Sequence, residues 1–315
     1  MKVHHSLDSL SEIQQAVVTM GTFDGVHKGH AHVISFMNEL ARSGNGETVL
    51  LSFDPHPRKV LFPDRPTVPL LSTMEEKRHR LESLGLDHLV ILPFTKEVGA
   101  MLAFDFVRDY FHNALKAKHI VVGHDHRFGR GREGHFETLL ELSDIFKFTA
   151  HQIGAMSSDM AQSVISSTKI RQHLTLGEIN KANDMLGYSY RLSGKVVHGN
   201  ARGRELGYRT ANLEIGHADK LVPKPGVYLV QCKMNGASRF GLTNIGFRPT
   251  FEAEEILSIE THLLDWDQDI YNSEMEISFL ERIRDEKKFN TLEEIQQAIE
   301  QDVNHAKQRI DEANF

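Results

Sequence analysis

The stretch Val17–His32, VVTMGTFDGVHKGHAH, decides the reading of the first half of this chain. Ala16-Val17-Val18 is a short apolar run of the kind a buried strand needs. Gly21, Gly25 and Gly29 then punctuate a turn, after which Val33, Phe36 or Met37, Leu40 and Ala41 return at helical spacing. A strand, a glycine turn and a helix start together deliver His27 and His30 to a helix N-terminus. Free backbone N–H groups and the helix dipole favour an anion such as phosphate there. Two imidazoles at that point can donate hydrogen bonds to a phosphate whose charge rises during attack. The chain has 19 histidines, so a close pair by itself carries little weight.

Working outward, the strand-then-helix pattern repeats. Thr48–Phe53, His88–Leu92 and His119–Val122 read as short apolar strands, and Met74–Leu84 and Val107–Leu115 as helices. Asp54-Pro55-His56-Pro57 stops the second strand, because proline cannot continue a ladder. Strands alternating with helices predict an α/β, Rossmann-like domain, a parallel sheet with helices on both faces. Ligands in such sheets sit beyond the carboxyl ends of the strands. Both GTFDGVHKGH and the loop Gly123–Gly134 would lie there. That loop holds four glycines and three arginines and reads as a mobile, cationic cover for a phosphate. Further on, Val164-Ile165-Ser166-Ser167-Thr168-Lys169-Ile170-Arg171 opens another helical run. Its serines can act as plain N-caps, or the same helix start can hold a second phosphate.

Bulk properties narrow the function. The chain has 315 residues, 40 % hydrophobic and 25 % charged, which suits two soluble domains. A net charge of −7 argues against a dedicated nucleic-acid binder. Cys232 is the only cysteine, so no internal disulfide can form. MKVHHSLDSLSEIQQ has no apolar core of signal-peptide length, and no apolar run reaches the roughly 18 residues of a membrane span. The expectation is a cytoplasmic protein without a membrane or nucleic-acid partner, a monomer or weak oligomer.

After Gly187-Tyr188-Ser189-Tyr190 the pattern changes, which puts a domain boundary at 187/188. Short alternating runs follow: Gly194–Val197, Val227–Met234, Phe240–Ile245, Ile256–Leu264 and Met275–Leu280. Asn235-Gly236 is a hairpin signal. Closely spaced antiparallel strands predict an all-β barrel over 188–315. Thr291-x-x-Glu294 resembles a capping box before a final amphipathic helix. Alternation in Ile259-Glu260-Thr261-His262-Leu263 puts Glu260 and His262 on one face.

The string GTFDGVHKGH resembles the HxGH signature of nucleotidylyltransferases, and its longer form the bacterial bifunctional riboflavin kinase/FAD synthetase family. Gly123–Gly134 resembles that family's GxDFxFGxxRxG, with His126 in an aromatic position. VISSTKIR resembles its ISSTxIR. GKVVHGNARGRELGYRTANLEI, GLTNIGFRPTF and IETHLLDWDQDIYN resemble its kinase motifs, with Arg209 in place of a proline. The resemblance covers roughly residues 14–310 with six motifs in family order.

It implies riboflavin kinase activity in 188–315, giving FMN, and FMN adenylyltransferase activity in 1–187, giving FAD and pyrophosphate. ATP is the nucleotide and Mg2+ the cofactor. His27, His30 and Glu260 are the implied catalytic residues. Gly21, Phe23, Gly29, Ser167, Thr168, Arg171, Gly199, Gly203 and Arg204 would bind ATP or its phosphates. Asp125, Arg132, Asn244 and Arg248 would contact flavin, and Thr210 and Asn212 the magnesium. The competing expectations are an adenylyltransferase whose kinase half is impaired at Arg209, and a flavin or nucleotide sensor without turnover.

Overall fold

The computed structural model describes residues 1–8, 10, 12–198, 208–234, 236–249, 255–266 and 268–313. The chain divides into two compact units, Met1–Ser167 and Thr168–Phe315.

The first unit is built on β1 (Lys2–His4), β2 (Val17–Met20), β3 (Thr48–Asp54), β4 (His88–Pro93), β5 (His119–Gly123) and β6 (Thr149–Ile153). Their order is β1-β4-β3-β2-β5-β6, and every pairing is parallel. Alternate strand residues feed two cores. Val17, Leu50, Leu89 and Val121 join Val33, Ile34 and Met37 of α1 (Lys28–Gly44) and Leu81 of α3 (Met74–Ser83). Short α2 (Pro57–Leu61) lies between those two helices in sequence. Val18, Leu51, Val90 and Ile120 join Phe106 and Phe111 on the other face, together with Leu139 and Leu142 of α6 (Phe136–Phe146). Helices therefore cover both faces, as the near-continuous apolar strands require.

The chain runs from β2 outward through β3 and β4, then resumes on the other side of β2 with β5 and β6. That reversal makes the carboxyl ends of β2 and β5 a topological switch point. Between β4 and β5 come α4 (Lys96–Ala100) and α5 (Ala103–Phe106), and α5 leads into a π-helical stretch, Val107–Ala114. A two-stranded pair, β7 (Ser157–Ser158) and β8 (Ser163–Val164), precedes α7 (Ser167–Leu176).

The second unit is a closed antiparallel barrel. Its strands are β9 (Arg191–Val197), β10 (Ala211–Ile215), β11 (Gly226–Met234), β12 (Ala237–Pro249), β13 (Glu255–Leu263) and β14 (Glu274–Arg284). They close in the order β10-β13-β12-β11-β14-β9. Met234 pairs with Ala237, the two-residue hairpin expected from Asn235-Gly236, and Gly236 has φ 78°. Asn235 itself lies outside the described residues. The final helix α9 (Leu292–Ala313) lays Val303, Ala306 and Ile310 on Val227, Leu229 and Leu242. Its start departs from the capping box. Thr291 Oγ1 accepts the Glu294 N–H at 3.2 Å, while the Glu294 carboxylate reaches back to Asn290 N at 2.8 Å. Cys232 is buried in the barrel, and burial pushes its thiol up to about 12, so it stays protonated.

Helix α7 from Thr168 onward and α8 (Ile179–Leu186) belong by contact to the barrel unit, while Ser167 belongs to the first. Lys224 N–H donates to the Leu174 carbonyl at 3.0 Å, and Asn183 Nδ2 to the Phe279 carbonyl at 2.8 Å. The contact division therefore falls at 167/168, ahead of the 187/188 division drawn from the change of pattern. Alternation of strand and helix marks where a kind of structure ends, not where its contacts end.

Candidate active sites

The first site lies at the switch point, in the turn between β2 and α1. His27 caps α1: its Nδ1 accepts the His30 N–H at 3.3 Å, so its ring proton sits on Nε2 and can be donated. Gly29 permits this, because a Cβ there would stand 3.2 Å from both Cε1 and Nδ1 of the His27 ring. His30 is the middle of a three-ring stack, 3.7 Å from His27 and 4.3 Å from Phe23, with planes within 14° and 19°. Part of its surface is open, yet its Nδ1 is buried with no hydrogen-bond partner. Burial first, then the charges of His27 and Lys77, hold its pKa well below the ordinary 6.5. His30 is therefore neutral near pH 7 and carries one ring N–H.

Phe23 and Val26 adopt left-handed backbone, φ 46° and 35°. Such conformations cost about 1–3 kcal/mol each and persist only where surroundings over-determine them. Asp24 supplies that constraint. Its buried carboxylate accepts Leu71 N (3.0 and 3.1 Å), Ser72 N (3.1 Å) and Ser72 Oγ (3.4 Å), while Gly25 N–H donates to Ser72 Oγ at 3.0 Å. Its main-chain carbonyl accepts Ser167 Oγ at 2.9 Å. Ser167, at the first position of α7, thus sits against the HxGH turn. Thr168 follows it in α7, and Arg171 is one turn further. Lys77 of α3 is buried, and its charge faces Asp24 and Asp54.

Asp24 and Lys77 were missed in the sequence. Lys77 lies four residues before the buried Leu81 on the same helix, and that spacing was the available signal.

The Arg/Gly loop beyond β5 is pinned rather than loose. Phe128 and Gly134 bridge, and a Cβ on Gly134 would stand 2.8 Å from the Phe128 ring. Arg130 N–H donates to the Met101 carbonyl at 2.7 Å, and Glu133 accepts the Ala103 N–H at 2.9 Å. Asp125 and Arg132 are exposed on it. Between them His126 buries an Nε2 with no partner, and burial lowers its pKa to about 4.

The second site is on the barrel. Asn212 of β10 is the register partner of Glu260 on β13, and Glu260 the partner of Asn244 on β12. The three half-buried side chains therefore form one row across adjacent strands, with Ile259, Thr261 and Leu263 buried on the opposite face. Thr210 immediately precedes β10. It lines a small cavity of about 110 Å³ with Arg209, Ala211, Trp266, Asp269 and Tyr271. The Trp266 Nε1–H is buried there without a partner, and Tyr271 stacks on His198 at 3.7 Å. Arg248 is on β12, paired with Ile256. Gly199, Gly203 and Arg204 lie outside the described residues.

A parallel sheet with a histidine pair at its switch point defines a nucleotidylyltransferase-type unit, joined here to a six-stranded barrel with its own polar row. The FAD synthetase family profile matches residues 9–169, and the riboflavin kinase profile residues 186–310. The chain is 37 % identical over 303 residues to a bifunctional riboflavin kinase/FMN adenylyltransferase of Listeria monocytogenes, covering 95 % of this chain and 94 % of that one. The Bacillus subtilis protein of the same name is 33 % identical, covering 96 % and 94 %. A crystal structure described as a macrolide-efflux protein from Streptococcus pneumoniae shares the fold, with TM-score 0.87, 29 % identity and coverage of 97 % and 98 %. Among the described residues no helix is long and apolar enough to cross a membrane. The chain belongs to the bifunctional riboflavin kinase/FMN adenylyltransferase family.

Proposed function

We infer that this chain phosphorylates riboflavin to FMN on its barrel and then adenylylates FMN to FAD in its N-terminal unit, with ATP as the donor in both steps. In the second step an FMN phosphate oxygen attacks the α-phosphorus of ATP, and the bond to the leaving pyrophosphate breaks. The substrate phosphate is itself the nucleophile, so no covalent enzyme intermediate is needed. The His27 and His30 rings donate N–H groups to the crowded phosphorus centre. Prearranged donors of this kind are worth about 10²–10³ in rate. Ser167, Thr168 and Arg171, with the α7 N-terminus, hold the departing phosphates. Gly21, Phe23 and Gly29 shape the turn around ATP. Asp125 and Arg132 contact the flavin.

On the barrel, Glu260 takes the proton from the riboflavin 5′-hydroxyl as that oxygen attacks the γ-phosphorus. Asn244 and Arg248 orient the flavin, and Gly199, Gly203 and Arg204 cradle phosphates. Thr210 and Asn212 offer a hydroxyl and an amide oxygen, which are donors magnesium accepts beside nucleotide phosphates. Bound there, the ion would neutralise phosphate charge. The lone buried Cys232 supports a reducing, cytoplasmic setting. The domains act separately, 1–187 for adenylylation and 188–315 for phosphorylation. We take the enzyme to act as a monomer or weak oligomer, on small molecules and not nucleic acid.

The observation that carries the reading is the His27–His30 ring stack beside the Asp24–Ser167 tie. The test is chromatography of flavins after incubating the protein with ATP, magnesium and either riboflavin or FMN. FMN followed by FAD from riboflavin supports both activities. FAD from FMN alone leaves only the adenylyltransferase, and bound flavin with ATP intact supports a sensor.

A further inference from the structure

Arg209 stands immediately before Thr210-Ala211-Asn212. A proline at 209 would fix φ near −65° and so pre-set the turn, whereas arginine leaves that dihedral free. Another constraint is visible on the neighbouring strand. β13 sets Glu260 opposite Asn212 and Thr261 opposite Ala211. One residue further, His262 Nδ1 lies 2.9 Å from the Arg209 carbonyl oxygen. A carbonyl only accepts, so Nδ1 carries the proton and donates it. The Tyr208 ring meets the same imidazole edge-on, at 5.2 Å and 85°. The turn therefore grips His262 through two successive residues, one by a hydrogen bond and one by a ring edge. His262 is also two residues from Glu260 and shares its face of the strand.

We propose that His262 is a positioning residue of the barrel site: its Nδ1–H clamps the Arg209 carbonyl and holds Thr210 and Asn212 in register with Glu260, doing the work a proline ring at 209 would do. The proposal rests on the kinase reading for its consequence, though the clamp is a property of the free chain. It also explains how arginine is accommodated. With the backbone held from β13, the side chain at 209 lines the adjoining cavity.

The test uses the full-length protein with H262A, R209P and the double substitution. Two quantities are read. The first is backbone hydrogen exchange of 208–213 without substrate. The second is the KM for Mg-ATP in riboflavin phosphorylation, with FMN adenylylation in the same preparation as the control for folding. H262A should speed exchange in that segment and raise the KM roughly tenfold, the effect of one lost hydrogen bond, while adenylylation is unchanged. R209P should be nearly silent alone and should restore both quantities in the H262A background. Wild-type exchange and KM in H262A would overturn the proposal, as would a defect that R209P does not rescue. A wild-type protein that makes no FMN would instead defeat the kinase reading, and the exchange measurement would still decide whether the clamp exists.

Discussion

Ser167 Oγ donates to the main-chain carbonyl of Asp24 at 2.9 Å, joining residues 143 positions apart. The bond ties the first residue of α7 to the turn whose strained backbone presents His27 and His30. Ser167 is thus more than a helix-start serine, because its hydroxyl proton is committed to Asp24. S167A should lower FAD formation from FMN by at least tenfold and leave riboflavin phosphorylation intact. Its thermal stability should fall by about 1 kcal/mol, the ordinary value of one hydrogen bond. Parallel assays of the two reactions with a thermal melt check this.

Lys77 makes a second prediction. Its buried ammonium faces Asp24 and Asp54 and helps keep His30 neutral. K77M removes that charge at similar volume, so the pKa of His30 should rise. The acid limb of the pH–rate profile for FAD formation should move to higher pH. The buried Asp24 also loses a nearby positive charge, so stability should fall as well. A pH–rate profile of K77M at low temperature separates the two effects.

Several partly buried imidazoles link stability to acid. His4, His30, His119, His126 and His151 all have pKa values held below the ordinary 6.5, in each case chiefly by burial. Well above pH 6.5 both folded and unfolded states hold them neutral, and they contribute no pH dependence. Below it the unfolded chain takes protons that the folded chain refuses, so stability falls as pH falls. For His126, with its pKa near 4, the loss at pH 5.5 is on the order of 1 kcal/mol. Thermal melts from pH 7.5 to 5.5 should show this decline, and H126F should make it shallower.

Glu260 should separate the activities in the opposite sense from Ser167. E260Q keeps the shape of the Asn212–Glu260–Asn244 row and removes the base. FMN formation should drop by about 10²–10⁴-fold with FAD formation from FMN unchanged. An unaltered phosphorylation rate would remove Glu260 from that role.

Much of this architecture is legible in the chain. Four sheet strands stand out as apolar runs, and the alternation around Glu260 correctly separates the buried Thr261 from the half-buried Glu260 and His262. What is hidden has physical causes. Lys2–His4 is too short and too polar to read as a strand, and gains its place by pairing with His88–Val90. Thr149–Ile153 is an edge strand, half-exposed along most of its length. Ala211–Ile215 is a five-residue strand whose place is set by its pairing with β9 and β13. The π-helical turn at Val107–Ala114 has an apolar spacing that an α-helix would share. Asp24 and Lys77 escape because their partners, Leu71, Ser72 and Asp54, are brought to them only by folding.

The claim at the centre of this account is that two sites on one chain run two reactions. Flavin chromatography of H30A incubated with riboflavin, ATP and magnesium tests it most directly. His30 is the middle ring of the stack beyond β2, in the first unit. FMN should accumulate at the wild-type rate and FAD should be absent. Loss of both products from a folded protein, or FAD formation at the wild-type rate, would contradict it.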